Sequence, residues 1–124
     1  MMIALSSIEE VSAPPLVPVE QPIDLDHLSR MTLGERSLER EVLALFDRQA
    51  AMLLARMSNP TSVVVVAAAH TLKGSARGIG AWRVASAAEA VELAVGDEAA
   101  VPMAALRAAV EEASVAIAGL LRAH

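Results

Sequence analysis

The stretch that decides the fold is TSVVVVAAAHTLKGSARGIGA, residues 61–81. On a helical wheel its apolar residues collect on one side. These predicted core residues are Val65, Ala68, Ala69, Leu72, Ala76 and Ile79. Thr61 or Ser62 is suited to begin the helix, and the glycines near the end of the stretch are suited to end it. The pattern predicts a helix over about 62–79 with one face buried.

The opposite side of this helix carries His70, Lys73, Gly74 and Arg77. A histidine inside an apolar segment is more often a core residue, but the wheel turns His70 toward solvent. Lys73 and Arg77 lie further along the same surface, where they favour a neutral imidazole and attract an anion. Gly74 costs about 1 kcal/mol of helix propensity and leaves room beside the ring. Together these residues suit a histidine that accepts a phosphoryl group.

Residues 63–66 are four consecutive valines, which also fit a β-strand. A single strand would be an exposed edge, and no other segment of the chain is suited to pair with it. We therefore predict that the valines are helical. Val63, Val66 and Ala67 then lie on the same side as His70. They are either scattered surface residues or the apolar centre of a docking patch.

The segments from Asp24 onward also have helical periodicity. We predict a short cap helix from Asp24 to Gly34, followed beyond it by long helices at about 35–57, 62–79, 82–95 and 102–122. In the helix at 35–57, the predicted buried stripe is Leu38, Val42, Leu45, Phe46, Met52 and Leu53. A second apolar side, which packs within the bundle or joins the docking patch, consists of Leu43, Ala50 and Leu54. Four amphipathic helices joined by short turns predict an all-α, antiparallel four-helix bundle with a short N-terminal cap helix.

The sequence has 124 residues, with 10 Lys and Arg against 15 Asp and Glu and a net charge of −5. Residues 1–22 differ from the rest, because four prolines within nine positions interrupt any apolar periodicity. We predict a flexible Pro-rich leader over 1–22, with a partner-docking tail as the alternative. The bundle is predicted over 23–124.

Composition excludes several classes of protein. The acidic balance argues against binding to nucleic acid, and no apolar run is long enough to span a membrane. The chain has no cysteine, which excludes disulfides and thiolate metal sites and favours a reducing compartment. We therefore expect a cytoplasmic protein. We also expect a monomer, because no further long apolar helix face is evident.

Residues 70–81, HTLKGSARGIGA, resemble the signature of histidine-containing phosphotransfer (HPt) domains. In that family His-x-Leu-Lys-Gly-Ser is followed by a hydrophobic-Gly-Ala step. The resemblance extends from about Asp24 to the C-terminus and includes the Leu45-Phe46 pair. It implies a four-helix bundle that relays phosphoryl groups between receiver domains in bacterial two-component phosphorelays. The implied partners are response-regulator receiver domains and a hybrid histidine kinase.

By the same resemblance His70 is the phosphorylated residue, Lys73 steadies the phosphoryl oxygens and Gly74 leaves room for the partner. No intrinsic cofactor is implied, because the receiver domain supplies the aspartate and the Mg²⁺. The sequence has no ATP-binding signature, so we expect a phosphocarrier and not a kinase. The alternative function is a helical scaffold that binds a receiver domain without exchanging phosphate.

Glu92 is a further candidate for the site. If the predicted helices at 62–79 and 82–95 fold back on each other near Gly80, position 70 lies opposite positions 91–92. Glu92 is then placed to accept a hydrogen bond from the second ring nitrogen of His70, where related proteins often have an amide. The alternatives are a solvated glutamate or one that pairs with Lys73 or Arg77.

Overall fold

The computed structural model describes residues 21–58, 61–94 and 96–123. Within these ranges the chain is helical and has no strand, and the four valines at 63–66 lie in a helix. The helices are α1 (Leu25–Met31), α2 (Arg36–Met57), α3 (Ser62–Ile79), α4 (Trp82–Leu93) and α5 (Ala100–Ala123), with a 3₁₀ turn at Gly96–Ala99 before α5. The prediction of an all-α four-helix bundle with a short N-terminal helix is confirmed. The predicted leader up to residue 20, and the predicted end of the third long helix at 95, lie outside the described residues.

The helix starts follow from local capping. The Asp24 carboxylate accepts the backbone N–H of His27 at the start of α1, and the Thr61 hydroxyl accepts that of Val64 at the start of α3. The last helix begins at Ala100, two residues before the predicted start at Pro102. A proline at the third helical position costs no intrahelical hydrogen bond, because the first four N–H groups of a helix have no partner within it.

The core forms around α3, which packs against both α2 and α4. All six residues predicted for its inner face contribute to the core: five are buried and Val65 is partly buried against them. Leu72 is fully buried, as are Ala69 and Ala76. This pattern orients the opposite face of α3, which carries His70, toward solvent.

The predicted buried face of α2 is partly wrong. Leu45 and Met52 are 56% and 52% exposed, and Leu38 is 36% exposed. Of the second apolar side, Leu43 and Ala50 are buried and Leu54 is partly buried, so this side packs within the bundle, which was one of its two predicted roles. The buried residues of α2 are Leu43, Phe46, Ala50, Leu53 and Met57. This set repeats at alternating spacings of three and four residues, which keeps it on one side of a helix. The wide apolar stripe predicted from the sequence combined residues of this buried side with residues of an exposed apolar side, such as Leu45 and Met52.

Asp24 joins α1 to the turn between α3 and α4. Its carboxylate accepts the indole N–H of Trp82 at 2.9 Å as well as the backbone N–H of His27 at 3.1 Å. Its own N–H donates to the carbonyl oxygen of Gly80 at 2.9 Å. Burial alone would raise the pKa of the Asp24 carboxyl, but the hydrogen bonds from Trp82 and His27 outweigh it and lower the pKa. Asp24 therefore hydrogen-bonds to residues on both sides of the turn between α3 and α4, Gly80 and Trp82.

Polar contacts also place α5. The Arg40 guanidinium on α2 donates to the carbonyl oxygen of Leu121 at 2.8 Å, near the C-terminal end of α5. Cations near the end of a helix interact favourably with its dipole. Arg83 on α4 pairs with Glu112 on α5 at 3.3 Å. In the part of the chain described, no helix is long and apolar enough to cross a membrane.

Two glycines in this region give a matched test of the fold. Gly80 has φ +83°, and a Cβ added there would lie 2.9 Å from the backbone oxygen of Asp24. A Cβ at Gly78 meets no atom within 4 Å. We expect Gly80→Ala to destabilise the bundle by about 1–3 kcal/mol. Gly78→Ala should be neutral or stabilise it by up to about 1 kcal/mol. Urea denaturation followed by circular dichroism measures both changes, and equal stabilities for the two variants would contradict this account.

Candidate functional site

The candidate site lies halfway along α3, on the face opposite the core. The His70 side chain is 68% exposed, although Ala69 before it is fully buried. The inner face of α3 is packed in the core, which fixes the backbone position of His70. The imidazole ring on the outer face remains accessible. The expected solvent-facing histidine is therefore what the structure contains.

The carboxylate of Glu92 bridges His70 and Lys73. Glu92 Oε2 lies 2.7 Å from Nδ1 of His70, and Oε1 lies 2.8 Å from Nζ of Lys73. Glu92 belongs to α4, which runs antiparallel to α3 after the tight turn at Gly80. The sequence left open whether Glu92 contacts the ring or pairs with a cation. The structure shows both contacts at once.

This geometry fixes which ring nitrogen carries a proton. An ionised carboxylate only accepts hydrogen bonds, so Nδ1 of His70 is the donor to Glu92. In the neutral imidazole, Nε2 then carries the lone pair and no proton. Because the ring is held through Nδ1 and the side chain is mostly exposed, Nε2 is the nitrogen available to a reacting group.

The charge of Glu92 is stabilised by its two partners. The hydrogen bond from Lys73, and after it the one from His70, lower the pKa of the Glu92 carboxyl, whereas desolvation opposes them. A carboxyl whose pKa is lowered by folding contributes stability above its usual value of about 4.5. That contribution is lost as the pH falls through the lowered pKa. The carboxylate therefore remains ionised throughout the neutral range.

The two cations near His70, Lys73 and Arg77, are both paired with carboxylates of α4. Only 15% of the Lys73 side chain is exposed, and its ammonium group is paired with Glu92. Arg77 is 54% exposed and lies 3.8 Å from Glu89, also on α4. The sequence offered Glu92 as a partner of Lys73 or Arg77, but it did not predict Glu89 as the partner of Arg77. The fold-back of α4 brings one carboxylate opposite each cation.

Gly74 lies on the exposed face one turn after His70. A Cβ added at this position would meet no atom within 4 Å, so packing within the described bundle does not require glycine here. A glycine inside a helix is nevertheless destabilising relative to alanine by up to about 1 kcal/mol. The space beside the imidazole is therefore a feature that the fold alone does not explain.

The predicted docking patch is an exposed apolar area directly beside the ring. Val63 is 78% exposed, Val66 is 37% exposed and Ala67 is also exposed. A shallow hollow in this area is lined by Ser62, Val63, Val66, Ala67, His70, Thr71 and Glu92. The structure thus brings the predicted apolar residues and Glu92 together around His70. Thr71 and Ser62 complete the lining and were not predicted as site residues, because nothing in their spacing relates them to His70.

The Glu92 contact can be tested directly. In the wild-type protein we expect ring ¹⁵N chemical shifts of His70 to show the tautomer protonated at Nδ1. In Glu92→Ala the acceptor is removed, and the ring should shift toward the tautomer protonated at Nε2, which prevails in free imidazole side chains. Glu89→Ala is the matched control, since Glu89 does not contact His70 in the structure. Unchanged shifts in Glu92→Ala would contradict the assigned donor.

Comparisons with known proteins agree with this geometry. Residues 38–121 match the family model of the Hpt domain. Among solved structures, the chain is similar to the histidine phosphotransferase ShpA from Caulobacter crescentus, at 34% sequence identity and a TM-score of 0.66. The match covers 79% of this chain and 88% of ShpA. No protein with a curated function matches the sequence. The family match spans well over half of the chain, which belongs to the Hpt domain family.

Proposed function

We propose that His70 carries the phosphoryl group through which this Hpt protein acts in a phosphorelay. The observation that supports it most is the pairing of an exposed imidazole with a fixed acceptor: Nδ1 donates to Glu92 at 2.7 Å, and Nε2 is free to react. A nucleophile oriented by a second group on its far side is a recurring arrangement in group transfer. Membership in the Hpt family identifies the transferred group as phosphoryl.

The transfer step follows from this orientation. Nε2 of His70 attacks the phosphorus of an aspartyl phosphate, the N–P bond forms, and the P–O bond to the aspartate breaks. The leaving group is the aspartate carboxylate, so no proton has to be supplied to it. The phosphorylated ring keeps its Nδ1 proton and carries a positive charge, which the Glu92 carboxylate stabilises. The reverse sequence passes the phosphoryl group to a second aspartate.

Lys73 has two roles in this proposal. It holds Glu92 in place through the 2.8 Å contact with Oε1, which orients the carboxylate toward the ring. An ammonium group has three N–H donors, so two remain for the oxygens of the phosphoryl group. Arg77, which is more exposed than Lys73, adds positive charge at the edge of the site. Positioning and charge stabilisation of this kind account for most of the catalysis in phosphoryl transfer.

We further propose that the partners are receiver domains of response regulators and a hybrid histidine kinase, and that the protein is a carrier and not a kinase. The receiver domain supplies the aspartate and the Mg²⁺, so this chain contributes no cofactor of its own. Val63, Val66 and Ala67 form the centre of the docking surface. Each chain carries a complete His70 site, so one chain is the transferring unit. Receiver domains are intracellular proteins, so we place the chain in the cytoplasm.

The role of His70 is tested by transfer from a phosphorylated receiver domain in the presence of Mg²⁺. We expect the wild-type protein to acquire an acid-labile, alkali-stable label. His70→Gln should acquire none while keeping its helical circular dichroism, because His70 contributes nothing to the core. His27→Gln is the matched control and should be labelled normally. A label on His70→Gln would contradict the proposal, and receiver binding without any transfer by the wild type would favour the scaffold alternative.

The role of Gly74 is tested by adding bulk. Gly74→Gln should slow transfer at least tenfold, because the new side chain occupies the space that the partner enters. The variant should be as stable as the wild type, or more stable by up to about 1 kcal/mol, because helix propensity improves. Transfer rates and urea denaturation measured on the same samples separate the two effects. Normal transfer by a destabilised variant would contradict this role and would show that Gly74 is needed for the fold and not for access of the partner.

A further inference from the structure

The outward side of α2 carries an apolar surface that the described bundle does not cover. Leu45 and Met52 lie seven residues apart and are both more than half exposed. On a helical wheel, Glu41, Arg48 and Arg56 flank them on the same side. None of these three charged residues has an ion-pair partner among the described residues. A helix that is apolar on two sides normally buries both of them.

This side of α2 contains a hollow of a particular shape. Leu45, Arg48, Gln49 and Met52 line it. Their spacing is i, i+3, i+4 and i+7, which is the four-residue hole that accepts a side chain from a facing helix. Methionine is flexible and fills irregular apolar gaps well, so the exposed Met52 side chain is suited to enter such a hole. The same helix face therefore offers both a hole and a side chain to fill one.

We propose that two copies of this chain associate through α2, with the two helices antiparallel and Met52 of each copy in the hollow of the other. A twofold axis near residue 50 generates this arrangement. The contact is isologous, since each copy contributes the same surface, and it closes at two subunits. The face that defines it consists of Glu41, Leu45, Arg48, Gln49, Met52 and Arg56, and is called the α2 face below.

The charges of the α2 face select the antiparallel orientation. At 1.5 Å per residue, Glu41 of one copy lies within roughly 5 Å of Arg56 of the other, measured along the helices. Long side chains span that offset, and symmetry forms the pair twice. A parallel arrangement would place Glu41 against Glu41 and Arg56 against Arg56, which is repulsive. The two Arg48 side chains lie roughly 7 Å apart along the helix axes, at the solvent-exposed edge of the contact.

This association goes beyond the phosphotransfer function, because neither His70 nor Lys73 nor Glu92 belongs to the α2 face. It also changes the expectation of a monomer. That expectation depended on the absence of a further long apolar helix face, and α2 presents one. A contact made by a single helix is smaller than a standard stable interface, so the dimer should be weak and in rapid exchange.

Sedimentation equilibrium of the full chain, up to about 1 mM, tests the dimer in the range where weak contacts form. We expect a concentration-dependent monomer–dimer equilibrium for the wild type and a monomer for Met52→Glu. The matched control is Val115→Glu on α5, where the replaced valine is 63% exposed and outside the α2 face. It should associate like the wild type. A wild type that sediments as a monomer throughout, or a Met52→Glu variant that still dimerises, overturns the proposal.

Charge reversal tests the orientation independently of the apolar contact. Glu41→Arg alone and Arg56→Glu alone each replace two attractions with two repulsions and should weaken the dimer by about tenfold. The double variant Glu41→Arg/Arg56→Glu restores opposite charges and should return to within about threefold of the wild type. Circular dichroism confirms that these exposed positions leave the bundle folded. Failure of the double variant to recover association overturns the antiparallel arrangement.

Discussion

The phosphotransfer chemistry proposed for this protein depends on one carboxylate, Glu92, which is held between an ammonium group and an imidazole. Lys73 fixes one oxygen of Glu92, and the other accepts the Nδ1 proton of His70. The bridge leaves Nε2 as the free nitrogen of an otherwise exposed ring. In the proposed transfer it also places a negative charge where the phosphorylated imidazole becomes positive. An exposed histidine without this contact would rotate freely and divide between two tautomers.

The bridge exists only because α3 and α4 keep a fixed register. Gly80 adopts a left-handed conformation that reverses the chain within one turn, and Asp24 holds that turn by hydrogen bonds to Gly80 and Trp82. The buried alanines of α3 let α4 approach closely enough for Glu92 to reach the opposite helix. Stability contributed by packing far from His70 therefore determines the geometry at His70, which connects the core to the transfer step.

Much of this was predictable from the sequence, and the exceptions have physical reasons. The inner face of α3 and its solvent-facing histidine follow from periodicity alone, and the position of Glu92 follows from the fold-back at Gly80. The buried side of α2 could not be predicted, because Leu45 and Met52 complete a stripe as apolar as the one around Phe46. The packing of α2 against α3 and α5 decides between the two stripes. The pairing of Arg77 with Glu89 was missed because the fold-back at Gly80 was used to place only the residue opposite His70, and Glu89 lies one turn before that residue on α4.

The most direct test of the central claim is the ¹⁵N and ³¹P NMR spectrum of the protein after transfer from a phosphorylated receiver domain. The account predicts a single N–P coupling to Nε2 of His70, together with a proton retained at Nδ1. A phosphoryl group on Nδ1, or on any residue other than His70, would contradict it. The Nδ1 result would show that Glu92 releases the ring before the reaction, and the contact would then have no part in orienting the nucleophile.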